Sequence, residues 1–271
     1  MSLPSTSPNS TAVVTGASSG IGAEIAKVLA ARGQNLTLVA RRTELLEQLA
    51  IELRDKWKVL VDVAPCDLSD ATARKALIDG LESAGKQVTI LVNNAGFGTV
   101  GRIASANRDR ELGMVRTNVE ALLDLTTLLL PKMLAAKTGA ILNVASTAAF
   151  QPIPGQAGYA ATKAFVLSYT DALVAELVGT GVTATSLCPG PVETGFAEAA
   201  DFQEGDTDAL GKMFWVEASE VAELAVAALA SGQRQIIPGM ANKALASIGR
   251  HSPKRLILAL GRKVHPAMKR P

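Results

Sequence analysis

The sequence predicts an α/β fold: a doubly wound, mostly parallel seven-stranded sheet in a single domain, followed by a basic helical C-terminal extension. Three observations carry this. Short β-rich runs alternate with helical patterns from residue 11 onward. The runs are nearly continuous in apolar residues, as strands covered on both faces must be. The first run passes through a glycine cluster directly into a helix. Of the 271 residues 48% are apolar, 4% aromatic and 19% charged, and two are cysteines, which excludes a disordered, collagen-like or disulfide-framework chain.

Residues 1–10 are polar, contain Pro4 and Pro8, lack the basic and apolar regions of a secretory leader, and read as a flexible lead-in. Strands follow at Ala12–Thr15, Leu36–Val39, Val59–Pro65, Ile90–Asn93, Ala140–Val144, Thr183–Leu187 and Gln235–Ile237. Helical spacing fills the intervals at Ala23–Arg32, Glu44–Trp57, Ala71–Ala84, Val119–Ala136, Tyr159–Val178 and Ser219–Ala230. No repeat or low-complexity linker interrupts residues 11–239. Cys66 and Cys188 match no metal or redox spacing and read as free thiols. No stretch reaches ~18 uninterrupted apolar residues, so no span is expected and the cytoplasm is the expected location.

The net charge of +2 conceals an asymmetry. Residues 1–223 hold 18 Lys+Arg against all 25 Asp+Glu, whereas residues 224–271 hold 9 Lys+Arg and no acid. Such a split can signal an anionic partner or a membrane surface.

The glycine cluster reads Thr15-Gly16-Ala17-Ser18-Ser19-Gly20-Ile21-Gly22. Glycines let a backbone turn tightly and approach a pyrophosphate, and the helix that follows presents unpaired N–H groups and a positive dipole end. The strand–turn–helix context makes this a Rossmann-type dinucleotide site. At the end of the second strand an NAD-selective site would place an acid for the ribose 2′-hydroxyl. Here Ala40 is followed by Arg41 and Arg42, which suit a 2′-phosphate by charge and forked hydrogen bonding, with Ser18 or Ser19 as further donors. Arg41 is the favoured contact, while Arg42 reads equally well as a solvated charge.

Downstream lie Asn93-Asn94-Ala95-Gly96, Asn118, Ser146, Tyr159 and Lys163. Tyr159 and Lys163, four apart, share one helix face. A phenol that titrates near ~10 is a poor proton shuttle at neutral pH, and a neighbouring ammonium together with a cationic nicotinamide would lower it. Ser146 ends a strand at the carboxyl edge of the sheet, where ligands of such folds bind, and its hydroxyl suits a substrate carbonyl.

In this order the motifs resemble the short-chain dehydrogenase/reductase family, of the ordinary type and NADP-preferring, over residues 11–238. Thr15–Gly22 stands as the family's TGxxxGxG, Asn93–Gly96 as NNAG, and Pro189-Gly190 closes the set. The resemblance implies that Tyr159 is the general acid/base, that Lys163 lowers its pKa and binds the nicotinamide ribose, that Ser146 orients the substrate oxygen, and that Asn118 holds a relay water. It implies cofactor contacts from Gly16, Ser18, Ser19, Gly20, Ile21 and Gly22 in the turn, and from Arg41 and Arg42. Asp67, Leu68, Asn94, Ala95 and Gly96 would serve the adenosine side, with Pro189, Gly190, Val192 and Thr194 near the nicotinamide. No metal is implied. A homodimer or homotetramer is.

The substrate segment runs from about residue 191 to 216. It holds Phe196, Phe202, Phe214 and Trp215, which would wall an apolar pocket or pack a lid, and a run of acids that reads as a solvated face. The extension, 240–271, reads as helices Asn242–Gly249 and Pro253–Val264. It would cover the cleft, mediate assembly or lie on an anionic membrane; docking on the protein or a partner subunit is favoured over membrane contact. The reaction expected is hydride transfer between NADP(H), in preference to NAD, and a secondary alcohol or ketone. The alternatives are a membrane-surface lipid or acyl-chain ketoreductase and a non-catalytic NADP-binding regulator. No motif points to nucleic acid.

Overall fold

Seven strands are generated by the apolar runs of the sequence: β1 Ser10–Thr15, β2 Leu36–Ala40, β3 Val61–Pro65, β4 Gln87–Asn93, β5 Gly139–Val144, β6 Val182–Leu187 and β7 Gln235–Ile236. The computed structural model describes residues 2–193 and 211–268. The strands form one sheet, ordered β3-β2-β1-β4-β5-β6-β7 and parallel throughout. Between them run α1 Gly20–Ala31, α2 Thr43–Trp57, α3 Ala71–Ser83, α4 Arg108–Val115, α5 Ala121–Ala136, α6 Ala157–Glu176 and α7 Ala218–Ser231, followed by α8 Met240–His251 and α9 Lys254–Val264.

Because successive strand residues face opposite sides, Ala12 and Val14 pack under α1, α2 and α7, while Val13 joins Leu91 and Ile141 beneath α3, α5 and α6. Both faces are thus covered, which explains why the strands read as continuous apolar runs. Strand order reverses between β1 and β4, and the crevice at the carboxyl ends of those two strands is where this architecture binds ligands.

Three differences from expectation have local causes. The lead-in does not stand free: Leu3 packs on the core, Gln34 Nε2 and Asn35 Nδ2 donate to the carbonyls of Pro4 and Ser7 at 3.0 Å each, and Ser10 already belongs to β1. An unforeseen helix, α4, begins where Asn107 caps the amides of Asp109 and Arg110. It runs through a π-helical turn, Arg116–Glu120, into α5. Such turns insert one residue and are frequent at functional sites. Here the turn is braced by the buried Arg74 of α3, which pairs with Glu120 at 2.6 Å and Asp124 at 2.5 Å and donates to the Leu68 carbonyl at 2.8 Å.

Candidate active site

The glycine turn leaves β1 with Gly16 and Gly20 at φ of 66° and 57°, conformations that glycine adopts without strain. Ser19 precedes α1 in extended geometry and supplies no side-chain cap, and the first turn holds no acid. The first amides and positive dipole end of α1 are therefore available to an anion. A Cβ at Gly22 would lie 2.4 Å from both Asn94 Nδ2 and the Gly16 carbonyl, so only glycine lets the turn close.

Asn94, expected on the adenosine side, spends its side chain bracing this turn: Nδ2 donates to the carbonyls of Thr15 at 2.9 Å and Gly16 at 3.3 Å. Thr15, quoted from the sequence as the first residue of the motif but given no role there, completes the brace. Its hydroxyl accepts from the amides of Asn94 and Ala95 and donates to Val92, all at 3.0 Å.

The two arginines part company. Arg42 reaches Ser18 Oγ with Nε and Nη2 at 3.3 and 3.0 Å, and Ser19 Oγ with Nη2 at 2.7 Å, forming one polar cluster beside the turn. Arg41, the favoured residue from sequence, instead lies near Asp67 and helps hold that carboxyl below its ordinary value, after hydrogen bonds from the Ser69 amide and hydroxyl. Leu68, beside Asp67, is buried.

The π-helical turn directs Asn118 inward, where it is 2% exposed. Its Oδ1 accepts from the Phe97 amide at 3.1 Å, and Nδ2 donates to the Phe97 carbonyl at 2.9 Å and Thr162 Oγ1 at 3.1 Å. It thereby clamps the loop after β4 onto α6. Gly96 fits beneath: a Cβ there would stand 2.8 Å from Asn118 Oδ1 and 3.5 Å from Lys163 Nζ.

Ser146 follows β5 and caps a short turn, its Oγ accepting from the Ala148 amide at 3.1 Å and donating to the Pro189 carbonyl at 3.4 Å. It also hydrogen-bonds the hydroxyl of Tyr159, which is buried on α6. Lys163, one turn on, places Nζ 5.8 Å from the Tyr159 ring centroid and donates to the Val144 carbonyl at 2.9 Å. Asn118, Ser146, Tyr159 and Lys163 are thus brought together from three elements.

Burial governs the electrostatics of this pair in the protein by itself. Burial pushes Tyr159 up to about 12, with the Ser146 bond opposing, and pushes Lys163 down to about 8. Desolvation is the largest influence on both groups.

Beyond β6, buried Cys188 leads to Pro189 and Gly190. Cys66 and Cys188 are both free thiols. Gly190 packs against Asn242 of α8, whose Nδ2 donates to the carbonyls of Phe214 at 2.9 Å and Pro238 at 3.1 Å. Asn242 gave no sequence signal beyond opening a tail helix. Val192 bridges Val216, and Phe214 and Trp215 are half-buried. Thr194, Phe196 and Phe202 lie outside the described residues. Among the described residues no cluster of acids, histidines or cysteines could hold a metal, and no helix is long and apolar enough to cross a membrane.

A parallel seven-stranded sheet whose glycine turn, Asn118, Ser146, Tyr159 and Lys163 converge at the carboxyl edge narrows the comparison to one family, and residues 10–205 match the short chain dehydrogenase family. This chain belongs to that family. Relatives of this short-chain dehydrogenase include sulfoacetaldehyde reductase 2 of Chromohalobacter salexigens, 37% identical across 78% of this chain and 85% of that one. Among solved structures, a short-chain dehydrogenase from Sphingobium yanoikuyae in complex with NADPH is 30% identical with a TM-score of 0.77, covering 93% of each chain. A family member from Burkholderia phymatum in complex with NAD is 28% identical with a TM-score of 0.80, covering 92% of this chain and 95% of that one.

Proposed function

We propose that this short-chain dehydrogenase is an NADP(H)-dependent oxidoreductase that moves hydride between the nicotinamide and the carbon of a secondary alcohol or ketone, with Tyr159 exchanging the proton at oxygen. The observation that carries the reading is the buried Tyr159 hydroxyl, hydrogen-bonded to Ser146, with Lys163 one turn away. The bound nicotinamide would donate or accept the hydride; the remaining work falls to the chain.

Ser146 offers a donor to a carbonyl oxygen placed beside Tyr159, polarising it and fixing its orientation. Tyr159 is protonated at neutral pH, since burial holds it at about 12. That is the state a general acid needs for ketone reduction, whereas alcohol oxidation must first remove the proton against the same desolvation. Lys163, at about 8, still carries its charge near pH 7 and stabilises negative charge that develops on the tyrosine as its proton leaves. Asn118 positions the loop carrying Gly96 and Phe97 against α6.

The residues that would hold the dinucleotide are the amides of the Gly20–Gly22 turn for its pyrophosphate and the Ser18–Ser19–Arg42 cluster for a 2′-phosphate, with Asp67 and Leu68 on the adenine side. The NADPH complex of the Sphingobium protein supports this choice, and the NAD complex of the Burkholderia protein makes selectivity a matter for measurement. Half-buried Phe214 and Trp215 support an apolar carbonyl substrate. Apolar side chains left bare on α5 and α6, such as Leu128 and Phe165, support a homo-oligomer.

A ketone panel with NADPH oxidation as readout tests the proposal. Tyr159→Phe is expected to abolish turnover while leaving NADPH binding nearly intact by fluorescence titration. Retained turnover would remove Tyr159 as the acid.

A further inference from the structure

The catalytic reading leaves the basic extension unused. Its described part is firmly seated on one side. Gly261 of α9 meets Pro154, since a Cβ there would stand 3.0 Å from the proline Cδ. His265 packs on Gly155, Ala267 is buried, and Arg102 Nη2 donates to the Met268 carbonyl at 3.0 Å. Helix α9 therefore rests on the 150–155 loop through its Ile257–Gly261 side.

The rest of its apolar surface is bare. Leu256 and Leu260, one turn apart, are 66% and 64% exposed, and Leu258 is 41% exposed. Arg255, Arg262 and Lys263 occupy the adjoining arc of the helix and are exposed. Helix α8 repeats the arrangement: Met240 and Ile248, 78% and 59% exposed, fall on one stripe at i and i+8 with Lys243 and His251 beside them. Leu256 and Leu260, one turn apart on one face, form a bare pair rather than a scattered single side chain.

We infer that α8 and α9 form an interfacial surface that docks on an anionic lipid bilayer, the leucine and isoleucine side chains entering the headgroup boundary and the lysines and arginines facing lipid phosphates. Charge selects this occupant. From residue 224 onward there are nine Lys+Arg and no Asp or Glu, while the body that precedes carries the acids. A surface that pairs exposed leucines with one sign of charge is complementary to a negatively charged membrane and repels a second copy of itself. The inference concerns binding alone and stands whatever the substrate.

The test is flotation of the full-length protein with vesicles of phosphatidylcholine alone or phosphatidylcholine with phosphatidylglycerol. The wild-type protein is expected to float with the anionic vesicles, to stay behind with the neutral ones, and to be released by high salt as the charges are screened. Leu256→Glu with Leu260→Glu should weaken binding at least about tenfold with unchanged circular dichroism. Arg255→Gln with Arg262→Gln and Lys263→Gln, which keeps every leucine, should weaken it on the order of a hundredfold. No flotation by the wild-type protein, or flotation of either variant equal to that of the wild type, overturns the inference. So does loss of self-association in the leucine variant, by light scattering, without any vesicle binding, for then the face belongs to a second copy.

Discussion

Replacing Lys163 by methionine is expected to stabilise the fold at neutral pH while abolishing turnover, and pH exposes the reason. Burial moves Lys163 from its ordinary 10.5 down to about 8. At ~1.4 kcal/mol per pKa unit, keeping this buried ammonium charged near pH 7 costs the folded state on the order of 3 kcal/mol. The sign follows from the protons bound. Below about 8 both folded and unfolded chains hold the lysine proton, and the cost is complete. Between about 8 and 10.5 the unfolded chain still holds it and the folded chain does not, so wild-type stability gains as pH rises through that window. Methionine has similar length and no charge. It forfeits the bond to the Val144 carbonyl, an offset of about 1–3 kcal/mol that neutral lysine would also escape and that hardly varies with pH. Cys188 and Tyr159, both pushed up to about 12 by burial, destabilise either protein at higher pH. Urea unfolding followed by tryptophan fluorescence, near pH 7 and at about pH 9.5, should show the advantage of the variant shrinking by about 2 kcal/mol. A difference that is the same at both pH values refutes the reasoning.

Arg42→Ala should weaken NADPH binding roughly 30-fold and leave NADH almost unchanged, since a charge-assisted contact worth ~1.5–3 kcal/mol is lost from the Ser18–Ser19 cluster. Arg41→Ala, which faces Asp67, should change the ratio less; the reverse order in fluorescence titrations would return the selectivity to Arg41. Gly22→Ala should lower stability by about 1–3 kcal/mol and cripple dinucleotide binding, because its Cβ meets Asn94 and the Gly16 carbonyl. Gly80→Ala in the open interior of α3 should instead raise stability by about 0.5–1 kcal/mol, and thermal melts of the pair check both signs.

Strand positions were legible because covering a parallel sheet on both faces forces apolar residues at successive positions, a property of neighbours in the chain. Val13 and Val14 serve opposite faces, yet both had to be apolar. The glycine turn was legible for a related reason, since the backbone torsions at Gly16 and Gly20 restrict residue type on the spot. The π-helical turn was not legible: nothing in Arg116–Glu120 distinguishes it from the α-helical turns on either side, and it is braced by Arg74, more than forty residues earlier. Nor was the division between Arg41 and Arg42, adjacent and chemically alike, which depends on where Ser18 and Asp67 arrive in space.

By itself the sequence determined the doubly wound sheet, the dinucleotide turn and the order of Asn118, Ser146, Tyr159 and Lys163, because periodicity, glycine conformation and helical spacing are written over a few residues. Tertiary structure alone decided that Asn94 and Thr15 brace the turn, that Asn118 clamps Phe97 to Thr162, and that half of α9 docks while its leucines remain bare. It also decided the direction in which the central pair shifts. A phenol and an ammonium four residues apart can shift either way, and here the desolvation imposed by everything packed around them raises the one and lowers the other.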